Sequence, residues 1–250
     1  MNRPRVDYEV AGRTYAVHRR PDPRIAARIH AALGDARTVI NVGAGAGSYE
    51  PADRYVLAVE PSATMRAQRP PGAAPALDAR AESLPFDDDS FDAAMACVTV
   101  HHWEDLDAGL RELRRVARGP VAVLTFDLDH LVAWQKDHLA EGLEIEAPRF
   151  PSMDHLCGVL GNARVEHIPT PADCTDGFFE SFWNRPEALL DPSVRASQSM
   201  WALLPGATEQ RIVARLADAL ASGAWDVEHG HLREMDVLDG SLRLVVSDPA

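Results

Sequence analysis

The sequence predicts an α/β fold: a doubly wound, mostly parallel sheet with helices on both faces and a C-terminal helical cap inserted before the last strand. Short apolar runs alternate with helix-period segments through the first two thirds of the chain, the pattern of a parallel sheet. Those runs end in glycine, acidic or histidine residues, and sheets of this kind bind ligands beyond the carboxyl ends of their strands. With 250 residues, 46% of them hydrophobic, the chain can bury one good core. We expect a single domain over 1–250, with a core from 20–170 plus 240–250 and a cap from 171–239.

Each element has its own signal. Ile25, Ile29 and Leu33 recur every four residues before Gly34, which predicts an amphipathic helix with a glycine stop. Thr38-Val39-Ile40-Asn41-Val42 is a buried-strand run that ends in glycines. Only Ala44 to Tyr55 connects it to the next run, Val56-Leu57-Ala58-Val59, so a helix in that crossover must be short. A third strand covers 93–100 and leads into His101-His102-Trp103. Leu106, Leu110, Leu113 and Val116 mark one helical face, stopped by Gly119-Pro120. The strand Val121 to Phe126 follows and ends at Asp127, and two later runs, Val165 to Ile168 and Leu242 to Val246, read as further strands. Between those two lies a helical insertion over roughly 175–222. Its first helix carries Phe178, Phe179, Phe182 and Trp183, and its second shows Ile212, Val213, Leu216 and Leu220 on one face.

Composition excludes several functions. The chain has 25 basic and 38 acidic residues, a net charge of −13, and that field repels a nucleic-acid backbone. Cys97, Cys157 and Cys174 are scattered without ligand-like spacing, which argues against a disulfide framework and against zinc, and fits a reducing cytoplasm. The opening MNRPRVDYEV lacks the apolar stretch of a secretion signal, and no run approaches the roughly 20 residues needed to span a bilayer. Nearly all the basic residues are arginine, which fits GC-rich coding and a bacterial source.

The chemistry concentrates at the strand ends. Gly43-Ala44-Gly45-Ala46-Gly47 follows a strand directly, where glycines let the backbone turn tightly and approach a ligand. A plain strand-to-helix turn would use glycines too. The dinucleotide pattern calls for Gly or Ala at its sixth place, where this chain has Ser48. Glu60 ends the second strand, 17 residues after Gly43, where a carboxylate can accept hydrogen bonds from both hydroxyls of a ribose. Alone it would read as a solvated strand end; behind this loop, the ribose reading wins.

Four ordered segments together carry a resemblance. Val39 to Gly47, then Glu60-Pro61-Ser62 with Met65, then Arg80 to Phe86 with Ser90-Phe91-Asp92, then Val98 to Trp103 resemble the successive motifs of class I S-adenosylmethionine-dependent methyltransferases. The branch most resembled is the small-molecule one typified by quinone-biosynthesis methyltransferases, over residues 24 to 128. The resemblance implies a Rossmann-like core with S-adenosyl-L-methionine as cofactor. It places Gly43, Ala44, Gly45 and Gly47 along the methionine part, Glu60 on the ribose, and Pro61, Ser62 and Met65 in the turn bordering the adenosine. Ala81 and Glu82 would border the adenine, and Val98 would meet the cofactor through its backbone. Two positions depart from the pattern. Asn41 stands where the family often has an acid that helps fix the loop and the cofactor's amino group; it accepts a hydrogen bond but brings no charge. Arg80 stands where the family often has Asp, so the adenine contact passes to Glu82 or to backbone groups.

Methyl transfer from a sulfonium is an in-line displacement, so positioning supplies much of the acceleration, and a base is needed only if the acceptor must first lose a proton. The acid–base candidates are His102, His101, Asp127 and His130, each of which could equally be a packing or solvated residue. Asp127 and Asp129 lack the partner a magnesium site needs, and His229-x-His231 lacks a third ligand, so we expect no metal. Trp103 reads as a wall or core residue. Phe178, Phe179, Phe182, Trp183 and Trp201 crowd the cap and either line an apolar substrate cavity or form a satellite core. Tyr15 and Arg20, ahead of the first helix, are candidates for a segment that folds over the cofactor, Arg20 reaching its carboxylate or the substrate, or else for a solvated arm.

The expectation is a cytoplasmic, metal-independent methyltransferase acting on a small organic molecule, monomeric or a homodimer, with no nucleic-acid or membrane partner. The alternatives are a protein of this fold that binds the cofactor but catalyses non-methyl chemistry such as cyclisation, a nicotinamide-dependent oxidoreductase, and a non-catalytic binding subunit.

Overall fold

The computed structural model describes residues 6–249; the first half of the polar N-terminal stretch lies outside the described residues. Two compact units are formed, one from Pro21–Asp127, Phe150–Ile168 and Leu242–Ala250, the other from Met1–Arg20, Leu128–Arg149 and Pro169–Ser241.

The first unit is built on a seven-stranded sheet. Its strands are β1 (Thr38–Val42), β2 (Tyr55–Val59), β3 (Ala76–Leu77), β4 (Ala93–Cys97), β5 (Val121–Phe126), β6 (Ala163–His167) and β7 (Leu242–Ser247). The order across the sheet is β3-β2-β1-β4-β5-β7-β6. The β1, β2, β3, β4 and β5 pairings are parallel, and β7 runs antiparallel to both neighbours. Every residue of β5 is buried, which is why that strand is continuously apolar instead of alternating. Three helices pack beside it: α1 (Pro23–Ala32), α2 (Leu106–Val116) and α3 (Met153–Leu160). Asp105 caps α2 by accepting from the Ala108 amide, and Leu110, Leu113 and Val116 are its buried face. Gly34 follows α1 at φ +55°, the left-handed stop its position predicts.

Three details differ from expectation. β4 ends at Cys97 instead of residue 100, because Val98 turns to φ +53°, a conformation rare for a β-branched residue, and a 3-10 turn over Val100–His102 follows. The β1–β2 crossover holds only turns, with Tyr49 at φ +66° and Pro51 beside it, so the short helix allowed there does not form. The two-residue edge strand β3 had no pattern to announce it.

The second unit is mostly helical and has its own apolar core of Trp134, Trp183, Trp201, Trp225, Ile212 and Leu216, among others. Its longest helix is α4 (Gly206–Ala221), with Ile212 and Leu216 buried. The expected first helix of the insertion is a 3-10 turn over Phe179–Phe182. Residues 128–149, expected in the core, belong here instead because Trp134 and Leu139 enter this apolar cluster. The N-terminal segment also belongs here: Arg19 and Asp176 form a buried ion pair at 2.6 Å, and Gly177 N donates to His18 O at 2.8 Å.

Candidate functional site

The loop after β1 is tied down by its own backbone. Gly43 N and Ala44 N both donate to Val59 O, at 2.8 and 3.0 Å, so the loop is anchored to the end of β2. Gly43, Gly45 and Gly47 all have positive φ, at +69°, +52° and +93°. At Gly43 a Cβ would lie 2.1 Å from Thr99 Oγ1, so Thr99 occupies the space a side chain would need. At Gly45 the only atom within 4 Å of an added Cβ among the described residues is Met65 Cε, at 3.2 Å. Close approach of the Thr99 side chain explains the first glycine, and the positive φ, with Met65 close by, explains the second.

Glu60 closes the loop from the other side. Its Oε2 accepts from Gly45 N and its Oε1 from Ser62 N, both at 2.8 Å. Ser62 in turn caps the short helix Ala63–Arg66, accepting from Met65 N. One carboxylate therefore joins the glycine loop to the turn that carries Pro61, Ser62 and the buried Met65. Burial pushes the Glu60 carboxyl above its usual range, opposed by the two amides and by Arg66 and Arg69. Each oxygen spends one acceptor position on an amide and keeps another, the number two ribose hydroxyls require. The residues present fit the ribose of a nucleoside cofactor.

Under the same loop lies a buried charge pair that the sequence reading missed. Glu50 accepts from Arg69 Nη2 at 2.9 and 2.7 Å, and from Asn41 Nδ2 at 3.0 Å. Nothing in the spacing of residues 41, 50 and 69 announces that they meet; the turn-only crossover brings Glu50 back beneath β1.

The remaining predicted cofactor residues are placed as follows. Ala81 is buried. Glu82 Oε1 accepts from Glu104 N at 2.7 Å and Asp105 N at 3.3 Å, tying its loop to the start of α2. Arg80 points to Glu104 Oε1 at 2.9 Å on the surface. Val98 N donates to Leu124 O at 2.8 Å, which anchors the residue in its strained conformation. Trp103 packs against α2, its nearest ring atom 2.4 Å from the position a Cβ of Gly109 would take.

Among the acid–base candidates, His101 is buried and stacks on Phe150 with ring centroids 4.2 Å apart. His102 is half-buried, with its ring 3.9 Å from that of His101. The two rings neighbour each other where the chain leaves the strand in a 3-10 turn over Val100–His102. Asp127 is half-buried at the end of β5. His130 is exposed, in a turn of the second unit.

The second unit holds the other substrate candidates. Tyr15 meets Tyr8 edge to face at 6.2 Å and carries the Arg19 guanidinium 4.9 Å from its ring centroid. Arg20 is exposed, and its neighbour Arg19 makes the buried pair with Asp176. Phe182, Trp183 and Trp201 belong to the apolar core, Trp183 fully buried, and half-buried Phe179 packs against it; Phe178 is buried as well. Of the two readings of these aromatics, the core reading describes Trp183. Among the described residues no helix is long and apolar enough to cross a membrane.

Residues 40–121 match the family model of the methyltransferase domain. The chain is 28% identical to the structure of a "Putative methyltransferase from antibiotic biosynthesis pathway" from Anabaena variabilis ATCC 29413, with a TM-score of 0.84 over 94% of this chain and 99% of that one. The [4+2]-cyclase SpnF shares the fold at 14% identity, with a TM-score of 0.54 over 97% of this chain and 94% of that one. In sequence, the "Uncharacterized protein YafE" of Escherichia coli (strain K12) is 40% identical over 48 residues, 19% of this chain and 23% of that protein. The chain thus spans less than a quarter of that relative's length. Strand order, glycine loop and Glu60 define a Rossmann-like, class I methyltransferase fold. Residues 40–121 are thus similar to a methyltransferase domain, and the chain has the fold of that class.

Proposed function

We propose that this protein transfers a methyl group from S-adenosylmethionine to a small organic molecule without a metal. The observation that carries the reading is Glu60, buried at the end of β2, clamping the glycine loop while keeping an acceptor position on each oxygen. S-adenosylmethionine supplies a methyl group already activated on a sulfonium. What the chain supplies is a site fixed by backbone hydrogen bonds, in which orientation does most of the catalysis. Where the acceptor carries a proton, half-buried His102 is our choice of group to take it, with Asp127 as the next candidate. The net charge of −13 favours small acceptors over nucleic acid. The scattered cysteines favour a reducing cytoplasm, and we expect a monomer or homodimer there, in a bacterium.

Calorimetric titration with S-adenosylhomocysteine, followed by a screen of small-molecule acceptors with methyl-labelled cofactor, tests the reading. Binding, and label in a small product, are expected; failure to bind the cofactor product overturns it. The likeness in fold to a cyclase gives a second reading, in which the cofactor binds and an acceptor is transformed with no methyl transferred. Product mass separates the two, because methyl transfer adds one methylene and cyclisation adds nothing.

A further inference from the structure

The pair beneath the loop has two atoms of opposite character left over. Asn41 is 1% exposed, and its Oδ1 has no hydrogen-bond partner among the described residues, while its Nδ2 is turned to Glu50. Arg69 Nη1 is likewise buried without a partner among the described residues, while its Nε and Nη2 hold Ala74 O and its Nη2 also holds Glu50. The side chains of Arg69 and Glu50 are only 6% and 9% exposed. A Cβ on Gly47 would come within 3.2 Å of Arg69 Nη1 and 3.4 Å of Glu50 Oε2, so both groups lie against the last glycine of the loop. Burying an unmatched acceptor and an unmatched cationic donor is costly, and two such atoms on side chains joined through Glu50 at the glycine loop call for an explanation. A free α-amino-acid group offers the complement of both, an ammonium donor and a carboxylate acceptor. Glu50 sits between the two side chains and fixes both: it turns the Asn41 amide so that its oxygen faces away, and it draws two of Arg69's contacts to one side.

We infer that Glu50 is a positioning residue for the amino-acid end of the cofactor, acting through Asn41 and Arg69 beneath Gly47. The inference rests on the methyltransferase reading and deepens it. It moves the carboxylate that serves this end of the site from the end of β1 to Glu50, and the cation from Arg20 to Arg69. It also explains why position 41 carries an amide. An aspartate there would face Glu50 across about 3 Å, and two carboxylates that close cannot both stay ionised at low cost.

The test compares two ligands by calorimetry: S-adenosylhomocysteine, which has the amino-acid end, and 5′-methylthioadenosine, which lacks it. Glu50→Gln should weaken the first by about tenfold or more, the scale of one charge-assisted hydrogen bond, and change the second by less than about threefold. Equal loss for both ligands, or no loss for either, overturns the inference and assigns Glu50 to packing. Asn41→Asp should lower S-adenosylhomocysteine affinity, and Glu50→Gln added to Asn41→Asp should restore it. If Glu50→Gln alone does not melt cooperatively, the ratio of the two ligands' dissociation constants in Asn41→Asp and in the double variant decides: recovery supports the inference, and no recovery overturns it. Should the wild-type protein bind neither ligand, the methyltransferase reading itself has failed, a result distinct from the other two.

Discussion

Glu60 Oε2 accepts the Gly45 amide at 2.8 Å, so the acid at the end of β2 holds the loop that follows β1. Removing that carboxylate removes the clamp on the loop and, on the proposed reading, an acceptor for the cofactor's ribose. Glu60→Ala should cost roughly 2–4 kcal/mol of cofactor binding, from two charge-assisted hydrogen bonds. Calorimetry with S-adenosylhomocysteine checks it, and unchanged affinity would refute the ribose assignment. The same titration has a pH signature. The ionised carboxylate accepts the hydroxyls, so affinity should fall as pH drops through the Glu60 pKa, and burial, which raises that pKa, starts the fall at higher pH than an ordinary glutamate would.

Gly43 and Gly45 should respond differently to substitution. Gly43→Ala places a Cβ on Thr99 and strains a positive φ, so it should lower the melting temperature of the protein without cofactor, with partial recovery in Gly43→Ala/Thr99→Gly. Gly45→Val also strains a positive φ and crowds Met65 Cε, but it meets no anchored neighbour as close as Thr99, so beyond some loss of stability it should block the ligand. A differential scan with and without S-adenosylhomocysteine separates the two: the first variant should lose stability, and the second should lose the ligand-induced shift.

His101 and His102 should also part company. His101→Ala empties a buried place against Phe150 and should cost about 1–3 kcal/mol of stability. His102→Ala should keep cofactor affinity and, if its imidazole takes the acceptor's proton, lower turnover by about 10²–10⁴-fold. Stability and single-turnover rates measured on both variants check this. Equal turnover losses would make both histidines structural and leave orientation as the source of the rate.

Asp92 joins the start of β1 to the approach to β4. Its Oδ2 accepts the amides of Arg37 and Thr38, both at 2.9 Å, and Arg118 also contacts it. Those amides, above all, hold its carboxyl far below the usual carboxylate range. A depressed carboxylate contributes stability that is present above its unfolded pKa and is lost as pH falls through the folded one. Asp92→Asn should therefore cost about 1–3 kcal/mol near neutrality, carried by the amides since the half-exposed Arg118 is screened, and should flatten the acid limb of a melting-temperature profile between pH 2 and 5.

The sheet was legible because β1, β2 and β5 are short apolar runs with glycine or acidic ends, a local signal. The place of Glu60, at the end of β2 beside the glycine loop, was legible for the same reason. Val98 was not: nothing in Cys97-Val98-Thr99 says that a valine will take a left-handed conformation, because tertiary packing imposes it. Glu50 and Arg69 were invisible because their meeting depends on how the crossover folds back. The cap aromatics were visible as composition, but composition does not separate the lining of a cavity from a second core; Trp183, fully buried, lies in the core. Arg20 and Arg19 are neighbours of identical type, and only the fold shows that Arg19 has the buried partner.

The position of β7 has a consequence for biosynthesis. It pairs with β5 on one side and β6 on the other, yet residues 168–241 separate it in the chain from β6. While those residues are being made, β5 stands at an open border as six consecutive buried-type side chains, Val121 to Phe126, a template on which other chains can add. The sheet is completed only once the strand that belongs in its interior has been made, and until then the border of β5 stays open for longer than in a sheet closed in chain order.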